Sequence, residues 1–188
     1  MFDARGRQRQ LSPSSSKGTL IVCVGNSLVA DDAVGCRIFS ALEDACLQGD
    51  VTVKQLELLG ISLLDELEGE ERLIVVDAVQ LGAKPGTIHV MDWSEIPRNV
   101  GAPVSVHGIG IREAVEAGQL LYPEKMPRSI FLVGIEGCCF DRCDQGISEE
   151  VVPAIKGAVD EITRLIFTGD ARVADFTMSE DSSHQEPI

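Results

Sequence analysis

Apolar residues along the chain alternate between two patterns: short continuous runs, and longer stretches in which they recur every three or four positions. Ile21, Val22 and Val24 form the first run, as expected of a strand covered on both faces, so a strand is predicted over Thr19 to Val24. Gly25 and Asn26 tolerate the backbone angles of a sharp exit, and Val34, Ile38, Ala41, Leu42 and Ala45 then share one face of a helix. Val51 to Leu58 reads as a second strand, Ile61 to Leu67 as a helix and Leu73 to Asp77 as another buried strand. A turn at Gly82 to Gly86 leads to a strand over Thr87 to Asp92. About ten residues without helical pattern separate these last two strands, too few for a parallel crossover, so the pair is expected to be antiparallel. A glycine-bearing loop, Ser105 to Gly110, precedes a helix through Glu113 to Leu121. Ile130 to Glu136 is the final strand, and a closing helix runs from about Ser148 to Phe167, with Pro153 tolerated only in its first turn.

This order predicts an α/β fold: a three-layer α/β/α sandwich on a mostly parallel, twisted five-stranded sheet with one antiparallel edge strand. The domain is expected to span residues 18–167. Residues 1–17, with their Ser-rich lead-in, and residues 168–188, nearly devoid of apolar side chains after Ser179, are expected to be tails.

Ligands in such sheets bind beyond the carboxyl ends of the strands, where the strand order reverses. With the order 2-1-3 at that point, the exits of the first and third strands adjoin. Asp31 and Asp32 follow the first, and Asp77 ends the third. One acid at a helix start serves as a cap, but a second beside it is repelled by the first and invites a cation or a proton-transfer role. The glycines at 25 and 35 lack the GxGxxG spacing of a nucleotide fingerprint, and paired acids would repel a phosphate. Of three histidines, His184 lies in the tail and His89 inside the antiparallel edge strand, so His107, on the loop before a helix, joins the candidate site. Two carboxylates and one imidazole form an incomplete shell for a borderline metal such as nickel or zinc.

The net charge of −14 excludes a basic footprint for nucleic acid, and the acids are concentrated outside the first 17 residues. No apolar run is long enough to span a membrane, and the start of the chain lacks the apolar core of a signal peptide, so a cytoplasmic protein is expected. The six cysteines are then expected to be free thiols, and the spacing of Cys138, Cys139 and Cys143 lacks the paired CxxC of a zinc site.

Together, Gly25-Asn26, Asp31-Asp32-x-x-Gly35, Val75-Val-Asp-Ala78, Pro85-Gly86, Ser105-x-His107 and Gly134-Ile-Glu136 leading to Gly146-x-Ser148 resemble the nickel-iron hydrogenase maturation endopeptidases over residues 18 to 167. The resemblance implies an enzyme that removes the C-terminal extension of a hydrogenase large-subunit precursor once nickel is in place. It also implies that Asp32, Asp77 and His107 contact nickel carried by that precursor. Ala33 stands where the family usually has glycine, and Leu56-Glu-Leu-Leu-Gly60 replaces an acidic, Gly- and Thr-containing loop, leaving the role of Glu57 open. Two other readings remain at this point. One is a non-catalytic metallocentre-binding module; the other is a hydrolase like those acting on peptidyl-tRNA, which share the strand and Gly-Asn turn but whose RNA substrate the acidic charge opposes.

Overall fold

The computed structural model describes residues 17–45, 47–58, 60, 62–96, 110–141 and 146–168. The expected tails, Cys46, Cys143, His107 and His184 lie outside these residues, apart from Lys17 at the edge of the first and Thr168 at the edge of the second. Five strands, β1 (Lys17–Val24), β2 (Val51–Leu56), β3 (Glu70–Val79), β4 (Ile88–Asp92) and β5 (Ser129–Glu136), form one sheet in the order β2-β1-β3-β5-β4. The first four in that order are parallel, and β4 closes one edge antiparallel to β5. The helices are α1 (Val34–Asp44), α2 (Ser62–Glu66), α3 (Ile111–Leu121) and α4 (Ala154–Thr168).

The continuous apolar runs are buried on both faces, as their lack of alternation predicts. Ile21, Cys23, Ile74, Val76, Val133 and Ile135 point to one side, where Val34, Ile38 and Leu42 of α1 and Ala158, Ile162 and Leu165 of α4 cover them. Leu20, Val22, Leu73, Val75 and Leu132 point to the other, against Leu63 and Leu64 of α2 and Ile111, Ala114 and Val115 of α3. The result is the three-layer sandwich, with α1 and α4 on one face and α2 and α3 on the other.

Several boundaries differ from the sequence reading. The strand after the turn at 82–86 does run opposite to β3, but β5 is inserted between the two, so its hydrogen-bonded partner is β5. β3 continues past Asp77 to Val79, because β5 still pairs with it there after β1 has left. The closing helix starts at Ala154: residues 149–153 form turns, and Pro153 immediately precedes the first helical residue, where its missing N–H costs nothing. The acids after β1 lie in a short 3-10 turn, Ala30–Ala33, that precedes α1.

The end of α4 is anchored by a side chain from β3. Arg72 donates from Nη1 to the carbonyls of Leu165 (3.1 Å) and Ile166 (3.0 Å), two of the four acceptors that a helix C-terminus leaves without intrahelical donors. A cation at this end also opposes the helix dipole. Arg72→Ala should therefore lower stability by about 2 kcal/mol with secondary structure retained; chemical denaturation would reveal this, and an unchanged midpoint would show that the anchor contributes nothing.

Candidate functional site at the β1–β3 crevice

The sheet order reverses between β1 and β3, since the chain passes from β1 outward to β2 and then returns to β3 on the other side. Crevices at such reversals are the usual ligand sites of open α/β sheets. The last residues paired between these strands are Cys23 and Val76, so Asp77 stands one step beyond the point where β1 departs. Its neighbour on the other side is Gly134, where a side chain would press on that of Val79. Asp77 has the strand parity of Leu73 and Val75 and so belongs to the face covered by α2 and α3. It is almost completely buried, at 1% exposure.

β1 leaves the sheet through Gly25, whose N–H still donates to Leu56 O of β2 (3.0 Å). A side chain at Gly25 would collide with the carbonyl of Asp32, and one at Gly35 with the carbonyl of Val24. Both glycines are thus required by the close return of the chain over its own strand. Asn26 accepts from Leu28 N–H through Oδ1 (3.0 Å), a side-chain turn that redirects the backbone. The 3-10 turn then packs against β3 and brings Asp32 back over the exit of β1, where its Oδ2 accepts from Asn26 N–H at 2.9 Å. Asp32 is 3% exposed. The structure therefore places Asp32 at the exit of β1 and Asp77 one residue beyond the last β1–β3 pair, at the same end of the sheet. The third candidate, His107, lies outside the described residues, on the segment that leads into α3. Among the described residues, no group of three or more His, Cys, Asp and Glu side chains is placed to hold a metal ion.

Asp31 behaves differently from its neighbour. Its Oδ2 accepts from the N–H groups of Cys138 (2.8 Å) and Cys139 (2.9 Å) and from Ser148 Oγ (3.1 Å), and its Oδ1 accepts from Ser148 N–H (2.7 Å). Burial raises its pKa, but the backbone donors of Cys138, Ser148 and Cys139, with the Ser148 hydroxyl, outweigh this and hold it below the ordinary carboxylate value. Glu136, 3% exposed at the end of β5, is similarly engaged. It accepts from the N–H groups of Leu81 (2.9 Å) and Gly82 (2.8 Å), and His89 Nε2 lies 3.1 Å from its Oε2. His89 is on the edge strand as expected, where it helps Glu136 pin the β3–β4 loop. The sequence names Glu136 and Ser148 only as parts of a motif; the groups that face the Glu136 carboxylate and the acid to which Ser148 donates are 47 to 117 positions away, so no local spacing could assign these roles.

The described cysteines Cys23, Cys36, Cys138 and Cys139 are free thiols. Cys36 donates towards Gly25 O (3.3 Å), and its pKa is pushed up by burial, then by the charge of Asp32, with Glu57 adding to it. Glu57 thus lies near enough to be felt at Cys36. Burial, reinforced by Cys36, raises Cys23 to about 12. Since the thiolate is the reactive form, exposed Cys138 should be alkylated rapidly at pH 8 while Cys23 and Cys36 stay protected until the protein unfolds. Mapping of the alkylated peptides by mass spectrometry checks this, and labelling of Cys23 in the folded protein at the rate of Cys138 would contradict it.

The hydrogenase maturation protease family model (HycI) matches residues 36–165. The chain is 31% identical to a putative hydrogenase maturation protease of Methanocaldococcus jannaschii, over 78% of this chain and 94% of that protein. It is 29% identical to the hydrogenase expression/formation protein HupD of Rhizobium leguminosarum bv. viciae, over 83% of this chain and 77% of that one. In three dimensions it is similar to the hydrogenase maturating endopeptidase HybD of Escherichia coli, with a TM-score of 0.67 and 27% identity, covering 79% of this chain and 91% of HybD.

Proposed function

The chain belongs to the hydrogenase maturation protease family, and from that premise we propose that it cuts the C-terminal extension from a nickel-iron hydrogenase large-subunit precursor after nickel insertion. The observation that supports the reading is that Asp32 and Asp77, buried carboxylates from separate elements, follow the carboxyl ends of β1 and the β1-paired part of β3, where the strand order reverses. They would meet the metal cargo of the precursor, with His107 as the third donor. In this reading the nickel is held chiefly by the precursor's own thiolates, and the enzyme completes its coordination with two oxygens and one nitrogen, a mixed donor set suited to a borderline ion. A metal so placed polarises a nearby peptide carbonyl or water. The chain's own contribution is to dock the precursor by its metal and to fix the scissile peptide beside it. The HExxH motif of zinc proteases is absent from the sequence, which agrees with a metal delivered by the substrate.

Asp32→Asn, Asp77→Asn and His107→Ala should each abolish processing of a nickel-loaded precursor while leaving the melting transition cooperative. His89→Ala and His184→Ala should process at close to the wild-type rate. A gel-shift assay of the precursor follows the cut; a variant of the first group that processes normally removes that residue from the site.

The location of the metal has its own test. Enzyme treated with a chelator, then freed of it, should cut nickel-loaded precursor at the full rate, whereas nickel-free precursor should remain intact. Equal cutting of both precursors would refute nickel licensing. A requirement to reload the enzyme with zinc would identify an ordinary metalloprotease.

A further inference from the structure

We propose that Asp31 is a positioning residue: by stapling the β5–α4 loop to the turn that carries Asp32, it fixes the pose in which the neighbouring carboxylate meets the precursor. The proposal rests on the processing activity above for its consequence, but its geometric content can be measured separately.

The staple is double. Asp31 N–H donates to Cys139 O at 3.0 Å, while its carboxylate receives the N–H groups of Cys138, Cys139 and Ser148 and the Ser148 hydroxyl. The same loop is tied to the strand bearing Asp77, because Gly137 N–H donates to Val79 O at 3.0 Å, two residues beyond Asp77. A side chain at Gly137 would strike the Phe140 ring and lie 3.1 Å from Asp31 Cβ, so the loop passes hard against the acid. One loop therefore links the turn of Asp32 to the strand of Asp77. All four groups facing the Asp31 carboxylate are donors. An asparagine would have to aim its own N–H₂ at one of them, so the site demands a carboxylate and not merely a polar side chain. Asp32, one residue on, has a reporter of its pose in the 2.9 Å bond from Asn26 N–H.

A loop staple with no role in the reaction would affect stability alone, and the experiment separates the two. Wild type, Asp31→Asn, Asp31→Glu and Ser148→Ala would be compared by amide hydrogen exchange, melting and steady-state processing of nickel-loaded precursor. Asp31→Asn should speed exchange at Cys138, Cys139 and Ser148 and also, at least about tenfold, at Asn26. It should lower kcat by about 100-fold, the scale of a misplacement near 1 Å, with KM little changed. Asp31→Glu, which keeps the charge and both acceptor oxygens, should recover part of kcat. Should Asp31→Asn fail to fold, Ser148→Ala removes one bond only and should move Asn26 exchange and kcat in the same direction by a smaller factor. Opening of the loop amides with Asn26 still protected, or a lowered melting temperature with kcat unchanged, overturns the proposal. Wild type that does not process the precursor would refute the proposed function instead, and the Asn26 response would still decide whether Asp31 positions Asp32.

Discussion

Two adjacent carboxylates buried where β1 leaves the sheet pose the electrostatic problem around which this crevice is arranged. Neighbouring anions in a low-dielectric setting repel each other, and each must gain donors or a cation to remain ionised. The chain solves the two halves separately. Asp31 receives four donors from a loop more than 100 positions away and is held ionised within the protein. Asp32 is bonded to Asn26 N–H and held over the β1 exit, at the end of the sheet where Asp77 follows the last β1–β3 pair. The glycines at 25 and 35 follow from this requirement, since the turn must lie directly on the backbone of its own strand.

Much of this arrangement is legible in the sequence, for physical reasons that can be stated residue by residue. The runs at Ile21 to Val24, Leu73 to Val76 and Ile130 to Ile135 lack polar alternation because both faces are covered, which identifies central parallel strands. The helix spacing of Val34, Ile38 and Leu42 is likewise a direct imprint of one buried face. Strand partners leave a weaker trace. The short connection between β3 and β4 fixes only that their directions oppose, and the insertion of β5 between them is decided by a strand that comes some 40 residues later. The end of β3 is misjudged for the same reason: Asp77 is polar and looks terminal, yet pairing with β5 carries the strand on to Val79.

The candidate site divides along the same line. The positions of Asp32 and Asp77 at strand exits are visible in advance, because the apolar runs of β1 and β3 end beside them and ligands of open α/β sheets bind at that rim. The burdens of Asp31 and Glu136 are not visible, because their partners are backbone N–H groups, which every residue carries and no residue type advertises. Cys138 and Cys139 illustrate this. Their thiols attract notice in the sequence, whereas what they give Asp31 is their amides.

The distribution of satisfied and available charge bears on how such a site could discriminate its substrate. A protease that carried its own tightly held metal would act on any accessible peptide that fitted its crevice. With Asp31 and Glu136 already committed to loops, the donors offered to a ligand on the proposed reading are Asp32, Asp77 and His107, too few to complete the coordination of a nickel ion. Affinity then depends on ligands that the precursor supplies, and a precursor without the metal presents no cation to two buried carboxylates. On that reading, discrimination would come from whether the precursor brings its metal as much as from the fit of its peptide.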